Sequence, residues 1–211
     1  MSASGSTQPL AFAAADDSEE LARAELYGLL ARLWHAPPDA DLLQQFAQAV
    51  TQAPQPGGFL QAPWETLVGA VRATSPQGAA EAFDALFGGV GKPEVFAFGS
   101  YHLAGFLNEQ PLARLRQDLA VLGLERDPQD AFTEDHIAFE FEVMRWLIAG
   151  DDVALCNLER QRSFFRNHLQ PWVETLCDQV AVHPRAQWLS ALADFTRAFM
   201  QVETQAFDLI E

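Results

Sequence analysis

The amino-acid sequence predicts an all-α fold, and three observations support this prediction. Residues that favour helices, namely Ala, Leu, Gln, Glu and Arg, dominate the chain. Alternating runs of Val, Ile, Thr and Tyr, which are typical of strands, are absent from it. Prolines and glycines recur where helices would begin and end. We therefore expect eight or nine helices packed as one domain over residues 16–211, after a flexible leader over residues 1–15.

The first four helices are predicted in the N-terminal part of the chain. Asp17, with Glu20 three residues later, forms a capping signature for the first helix. The apolar residues of this helix fall on one face, namely Ala22, Leu26, Leu29, Leu30 and Leu33. The next three helices are predicted to begin at prolines, namely Pro38, Pro63 and Pro76. The last of them carries three large apolar side chains, Phe83, Leu86 and Phe87.

Residues 88–108 differ from the segments on both sides. They combine several glycines with aromatic rings that follow no helical period, namely Phe96, Phe98, Tyr101, His102 and Phe106. We predict that this segment is a long loop that carries apolar rings.

Five further helices are predicted after this loop. One begins at Pro111 and ends at Gly123, a residue suited to the left-handed position that closes a helix. The next is strongly patterned, with Thr133 as its predicted cap and Gly150 at its end. The last three are predicted over segments with prolines at their boundaries, namely 151–170, 171–182 and 184–211.

The charge of the chain is strongly negative. It contains 13 Lys and Arg residues against 29 Asp and Glu residues, which gives a formal net charge of −16. Such a surface repels phosphate backbones and anionic membrane faces, so nucleic-acid binding and membrane-surface binding are not expected. The charge favours a cationic partner.

Cysteine usage and targeting signals indicate a cytoplasmic protein. Cys156 and Cys177 are the only cysteines, and they form neither a disulfide framework nor a Cys-x-x-Cys motif. The first 15 residues lack the basic region of a secretory signal. The longest stretch without charge, residues 42–64, is interrupted by Pro and Gly and is not expected to insert into a membrane.

The densest polar cluster is Glu134-Asp135-His136, followed by Glu140 on the same helix. His136 and Glu140 lie one helical turn apart, so they could share a metal ion in an enzyme. A simpler interpretation is that the helix dipole favours Glu134 and Asp135 at a helix start, although this does not explain the histidine. The segment 88–93 lacks the residues of a phosphate loop. Because no nucleophile, base and orienting group come together, we expect no catalytic residue, no metal and no cofactor.

Four groups of residues, taken in order, resemble the TorD/DmsD/NarJ family of cytoplasmic chaperones for molybdenum redox enzymes. They are Leu26–Ala31 followed by Pro37-Pro38-Asp39, Phe83–Gly88, Phe98–Tyr101, and Glu134-Asp135-His136 followed by Glu140. The chain departs from the family pattern at Phe132-Thr133, where Glu-Pro is common. The resemblance covers the chain from about Leu21 to Phe199.

The resemblance implies a chaperone without catalytic activity. Such a protein would bind the twin-arginine signal peptide, or the N-terminus, of a molybdoenzyme catalytic subunit until the cofactor is inserted. The implied peptide-binding residues are Phe83, Leu86, Phe87, Phe98, Ser100, Tyr101, Asp135 and His136. The apolar side chains would line a groove, Asp135 would accept hydrogen bonds from the peptide, and His136 would fix the adjoining loop.

Several alternatives stay open at this point. The partner is a formate dehydrogenase or a dimethyl sulfoxide reductase-type enzyme, and the chaperone is a monomer or a dimer. The aromatic side chains are either core residues or the lining of a peptide groove with acidic flanks. A carboxylate and histidine metal enzyme and a general helical adaptor are the other functions.

Overall fold

A computed structural model describes residues 17–51, 58–88, 92–127 and 129–209, so the predicted leader over residues 1–15 lies outside the described residues. The all-α prediction is confirmed: the described residues contain ten α-helices, one π-helical turn and no strand. The α-helices are α1 (Asp17–His35), α2 (Ala40–Gln48), α3 (Gln61–Arg72), α4 (Pro76–Phe87), α5 (Gly99–Ala104), α6 (Gln110–Leu122), α7 (Ile137–Ala149), α8 (Leu158–Phe164), α9 (Val173–Ala181) and α10 (Trp188–Asp208). The π-helical turn (Phe165–Leu169) follows α8 directly.

Several helix boundaries follow the predicted local signals. Ser75 caps α4, because its hydroxyl oxygen accepts a hydrogen bond from the backbone N–H of Gly78 at 3.1 Å. Pro111 occupies the first turn of α6, and Gly123 closes that helix with φ +72°. Asp39 caps α2 in the same way as Ser75 caps α4, so this helix begins two residues after Pro38.

Two segments differ from their predictions. The segment predicted as one long loop, residues 88–108, contains the short helix α5. The segment 151–170, predicted as one helix, begins with turns, because the side chain of Asp152 accepts a hydrogen bond from Ala154 N–H and holds the backbone out of a helix. Asn157 then caps α8, and its side chain accepts a hydrogen bond from Arg160 N–H at 3.1 Å.

The packing of the core centres on three helix pairs. α1 packs against α7, and α10 packs against α9 and α3. The core contains large side chains that are fully buried, among them Trp34, Phe141, Trp172 and Phe195. Each such side chain contributes about 1.5–3 kcal/mol through removal of its apolar surface from water.

A buried polar network fixes α1 against α10. Arg23 donates to both carboxylate oxygens of Glu203 at 2.8 Å, and the Tyr27 hydroxyl donates to the same group at 2.9 Å. Two turns further along α1, the Trp34 indole donates to the Thr196 hydroxyl at 3.0 Å. These bonds set the position of the C-terminal end of α1, which forms one wall of a pocket described below. None of the helices in the described ranges is long and apolar enough to cross a membrane.

Candidate functional site

The turn before α7 pairs with the extended backbone before α5. The backbone N–H of Ile137 donates to the carbonyl of Ala97 at 3.0 Å, and the N–H of Gly99 donates to the carbonyl of Asp135 at 2.8 Å. Phe98 and His136 thereby form an isolated antiparallel bridge. Two segments that the sequence singled out, far apart along the chain, are therefore in direct contact.

Asp135 connects these two segments through its side chain. It is 2% exposed, and one carboxylate oxygen accepts a hydrogen bond from the backbone N–H of Ser100 at 2.8 Å. The other oxygen accepts one from the Thr133 hydroxyl at 2.6 Å. Asp135 therefore supplies the N-terminal end of α5 with an acceptor from another part of the chain, as a capping residue would. Ser100 is also fully buried, and its hydroxyl accepts a hydrogen bond from Asn108 N–H.

His136, and not the predicted Thr133, is the capping residue of α7. Its Nδ1 accepts a hydrogen bond from the backbone N–H of Ala138 at 3.3 Å. The ring stacks on Phe132 with 4.3 Å between ring centroids and meets the edge of Phe98 at 5.0 Å. Burial, with a smaller contribution from the neighbouring His35, lowers the pKa of His136 to about 3. The imidazole is therefore neutral, in agreement with its role as an acceptor.

One pocket, of about 280 Å³, lies between α1 and α7, and we call it the α1–α7 pocket. Its lining is Ala31, Arg32, His35, Asp130, Phe132, Thr133, His136, Ala138, Phe139 and Glu142. Most of the surface inside it belongs to apolar atoms, while two acids, Asp130 and Glu142, and one base, Arg32, supply charge. The pocket thus combines an apolar surface with an acidic edge.

A second and larger space, of about 610 Å³, opens beside α5 and α6, and we call it the α5–α6 cleft. Its lining is Gly99, Ser100, Leu103, Ala104, Gln110, Pro111, Arg114, Leu115, Gln117, Asp118, Asp135, Glu140, Asn167, His168 and Pro171. Polar atoms contribute a larger share of its surface than in the α1–α7 pocket. The cleft and the pocket lie next to one turn, because Asp135 lines the cleft and His136 lines the pocket.

Glu140 and Asp135 are the most deeply buried acids in the cleft, and each is 2% exposed. Its Oε2 accepts a hydrogen bond from the Trp172 indole at 3.2 Å, and the same indole N–H also donates to the carbonyl of His168. Burial raises the pKa of Glu140 well above its usual value, and the nearby Asp135 raises it further against the effect of the Trp172 bond. The carboxyl group is therefore stabilised in its neutral form.

His168 lies on the π-helical turn and reaches α6 across the cleft. Its Nε2 is 2.7 Å from a carboxylate oxygen of Asp118. Burial lowers the pKa of His168, and the carboxylate of Asp118 partly opposes this effect. π-Helical turns are frequent at functional sites, and here the turn brings an imidazole into the cleft.

The structure brings together four of the eight site residues predicted from the sequence. Phe98, Ser100, Asp135 and His136 form the paired segments described above. Tyr101 lies at the edge of this group, half-buried, and stacks on Phe96 with 4.3 Å between ring centroids.

The three predicted residues of α4 lie elsewhere. Leu86 is fully buried, Phe83 is 9% exposed, and the half-buried Phe87 packs against Trp34 of α1. None of the three lines the α1–α7 pocket or the α5–α6 cleft.

Most residues that line the two regions were not predicted as peptide-binding residues. Among them are Phe132, Phe139, His168, Asp118 and Glu140, the last of which was considered only as a metal ligand. Phe132 and Phe139 lie four residues before and three residues after His136. Aromatic residues at these positions beside the acidic cluster could have predicted an apolar lining near His136. No local signal marks His168 or Asp118, because the cleft forms only when the π-helical turn packs near α6.

The geometry does not support a metal ion shared by His136 and Glu140. The imidazole lines the α1–α7 pocket, whereas the Glu140 carboxyl lines the α5–α6 cleft. Glu134 is engaged elsewhere, in an ion pair with Arg116 at 2.9 Å. Within the described ranges, no three His, Cys, Asp or Glu side chains are grouped as metal ligands would be.

A comparison with protein families matches residues 55–178 to the family described as nitrate reductase delta subunit. The matched residues are more than half of the chain and contain α3 to α8 entire. The chain belongs to the nitrate reductase delta subunit family. This is a family of molybdoenzyme maturation chaperones and not a catalytic one, so the resemblance stated above is confirmed. No curated protein matches the chain in a sequence comparison.

The family match covers the pocket and the cleft to different extents. All lining residues of the α5–α6 cleft lie inside the matched segment. In contrast, the α1 wall of the α1–α7 pocket, formed by Ala31, Arg32 and His35, lies before it.

Proposed function

We propose that this protein is a chaperone that binds the N-terminal segment of a molybdoenzyme catalytic subunit and holds it until the cofactor is inserted. Where the partner is exported, this segment is a twin-arginine signal peptide. The partner is a formate dehydrogenase or a dimethyl sulfoxide reductase-type enzyme. The chaperone acts in the cytoplasm, because cofactor insertion precedes export in this scheme.

The observation that carries this proposal is the α1–α7 pocket in a member of a molybdoenzyme chaperone family. A signal peptide is a basic segment followed by an apolar one. The rings of Phe132 and Phe139 offer an apolar surface for the second segment. Asp130 and Glu142, within a chain of net charge −16, attract the first.

The residues around His136 keep this pocket in shape. Because its ring is stacked on Phe132 and its Nδ1 caps α7, His136 orders the wall without carrying charge. Asp135 holds the same turn against α5 with both of its oxygens. In this proposal the two residues act mainly by positioning the apolar surface, and Phe98 acts with them through its contact with the His136 ring.

The test is a calorimetric titration of the purified protein with the leader peptide of a molybdoenzyme. Phe139→Asp places a charge in the pocket and is expected to weaken binding at least ~10-fold, equivalent to about 1.4 kcal/mol. Phe106→Asp is the matched control, because Phe106 is 71% exposed and lines neither the pocket nor the cleft. Its affinity should equal that of the wild type.

Two outcomes would contradict the proposal. The first is a folded wild-type protein that binds no leader peptide. The second is a Phe139→Asp variant that is folded, as judged by circular dichroism and thermal unfolding, and binds as tightly as the control. Binding to a folded partner subunit without binding to any leader would favour a general adaptor instead.

A further inference from the structure

We propose that the α5–α6 cleft is a second binding region, which takes an arginine side chain and pairs its guanidinium group with Glu140. This inference rests on the proposed function, since the arginine belongs to the bound N-terminal segment. It assigns a ligand chemistry to a part of the molecule that the apolar pocket leaves unused.

Glu140 offers a carboxyl oxygen to the cleft. Glu140 is 2% exposed, and its Oε2 shares the indole N–H of Trp172 with the carbonyl of His168. Among the residues that the structure describes, none donates a hydrogen bond to the other oxygen, Oε1. Oε1 is not among the buried side-chain atoms of the described ranges that lack a partner, so it reaches the solvent of the cleft, where N–H groups of a ligand can replace water.

The absence of a side chain at position 99 keeps Oε1 from being covered. A Cβ atom there would lie 3.4 Å from Oε1 and 3.1 Å from the indole nitrogen of Trp172, so any side chain larger than that of glycine would crowd both groups. His102 stacks on the Trp172 ring and holds it in place. The carboxyl group is thus fixed before a ligand arrives, which reduces the cost of binding.

The charges that face Glu140 are mainly negative. The turn before α7 contributes Asp135, α6 contributes Asp118 and Arg114, and the π-helical turn contributes His168. His168 is bonded to Asp118, and Arg114 donates to the side chain of Gln110 on its own helix. Two carboxylates and a third carboxyl group thus face one cation in the cleft, an excess that favours a cationic ligand.

Arginine fits this arrangement better than lysine. A guanidinium group presents five N–H donors in one plane, so it can serve acceptors on several elements at once. The acceptors of the cleft lie on the turn, on α6 and on α7. An ammonium group is a point charge and does not satisfy acceptors in so many fixed directions.

The position of the cleft next to the α1–α7 pocket connects it with the proposed peptide. His136 lines the pocket and the preceding residue, Asp135, lines the cleft. In this proposal the apolar part of the segment occupies the pocket and its basic part occupies the cleft, on the other side of the same turn.

Binding of arginine to Glu140 is coupled to the release of a proton. Burial and the nearby Asp135 raise the pKa of Glu140, so the free protein holds a proton there at pH values where an ordinary glutamate is ionised. A guanidinium group favours the ionised carboxylate. Binding must then release a proton, and affinity must rise with pH.

The experiment is a calorimetric titration of wild type and Glu140→Gln with two leader peptides, in buffers of different ionisation enthalpy. One peptide carries its arginines, and the other carries citrulline, a neutral residue of the same shape, in their place. For the wild type we expect ~10-fold weaker binding of the citrulline peptide and proton release only with the arginine peptide. Glu140→Gln should lose most of this difference between the peptides, keep only the small salt-dependent part that the charges of the α1–α7 pocket cause, and release no proton. Glu81→Gln, on an exposed part of α4, is the charge-matched control and should behave as the wild type.

The outcomes separate this inference from the proposed function. Two results would overturn the arginine site and leave the proposed chaperone function unaffected. One is equal affinity of the wild type for both peptides. The other is a ratio of the two affinities in Glu140→Gln that equals the ratio in the wild type. Failure of every leader to bind would overturn the function instead. The cleft is then titrated with N-acetylarginine amide and followed by the NMR signals of Gly99 and the Trp172 indole. Shifts in the wild type that Glu140→Gln abolishes would support the site, and no shifts would overturn it.

Discussion

His136 and Glu140 lie one turn apart, yet they belong to two different regions. The imidazole lines the apolar α1–α7 pocket, and the carboxyl lines the polar α5–α6 cleft. Burial drives both groups to their neutral forms, by lowering the pKa of the histidine to about 3 and by raising the pKa of the glutamate. The histidine, however, has partners in Ala138, Phe132 and Phe98, whereas the glutamate has a free oxygen.

The difference shows what each residue is suited to do. A buried neutral group whose partners are all within the protein stabilises structure. A buried group that lacks a donor and faces a cleft is prepared for a ligand. By this criterion the α1–α7 pocket is shaped by His136, while the cleft presents Glu140 itself.

The largest expected effect is a loss of stability at low pH that is caused by His136 and not by Glu140. The pKa of His136 is lower in the folded protein than its ordinary value of 6.5, so the unfolded chain binds the proton first. Its contribution to stability is complete above pH 6.5 and is lost as the pH falls towards about 3. The free energy of unfolding should therefore decrease by up to about 1.4 kcal/mol per pH unit over this range because of His136 alone.

The measurement is urea unfolding at several pH values, for the wild type and His136→Asn. Asparagine can also cap a helix but does not titrate, so the variant should lose this component of the slope. Equal slopes for the two proteins would show that His136 is not held neutral by the fold.

The second effect tests the residue that connects the two regions. Asp135→Ala removes the acceptor of the Ser100 N–H and of the Thr133 hydroxyl, both at or near buried positions. We expect a loss of about 3 kcal/mol in the free energy of unfolding, because bonds to a charged acceptor are lost and a buried N–H is left without a partner. Asp135→Asn, which keeps an acceptor oxygen, should lose less. A loss in Asp135→Ala below that of Asp135→Asn would contradict this role.

The third effect is the pH dependence of stability that Glu140 causes, which runs in the direction opposite to that of His136. The pKa of Glu140 is higher in the folded protein than in the unfolded chain, so the folded state binds more protons and stability falls as the pH rises above the ordinary value of 4.5. Glu140→Gln removes this fall. The variant should be more stable than the wild type at neutral pH, because its amide does not titrate, and the difference should grow as the pH rises from 4.5. A less stable variant in urea unfolding would mean that the fold uses the carboxyl group.

The smallest effect concerns the acidic edge of the α1–α7 pocket. Glu142 is partly exposed and bonds Arg145 at 2.7 Å, so its attraction for a basic peptide is screened by solvent. Glu142→Gln should weaken leader binding by about 0.5 kcal/mol at low salt, and the difference should vanish at high salt. Titrations at two salt concentrations measure this, and a difference that persists at high salt would place Glu142 in direct contact with the peptide.

The sequence determined the fold class and most of the helix boundaries. Ser75, Pro111 and Gly123 act within one turn of their own backbone, so their effect is visible in the sequence itself. The sequence also singled out Phe98, Ser100, Asp135 and His136, which the fold brings together.

Only the tertiary structure decided which side chains face a pocket. The apolar pattern of α4 fits a groove as well as a core, and only the packing shows that Leu86 is fully buried while Phe87 is half-buried against Trp34. His136 and Glu140 have helical spacing, but His136 is a cap with extended backbone, φ −71° and ψ 135°, so the two side chains do not share a face. α5 and the cleft likewise depend on bonds between distant segments, such as that from Ser100 to Asp135. Local signals fix backbone geometry over a few residues, whereas burial and the direction of a side chain depend on what packs against it.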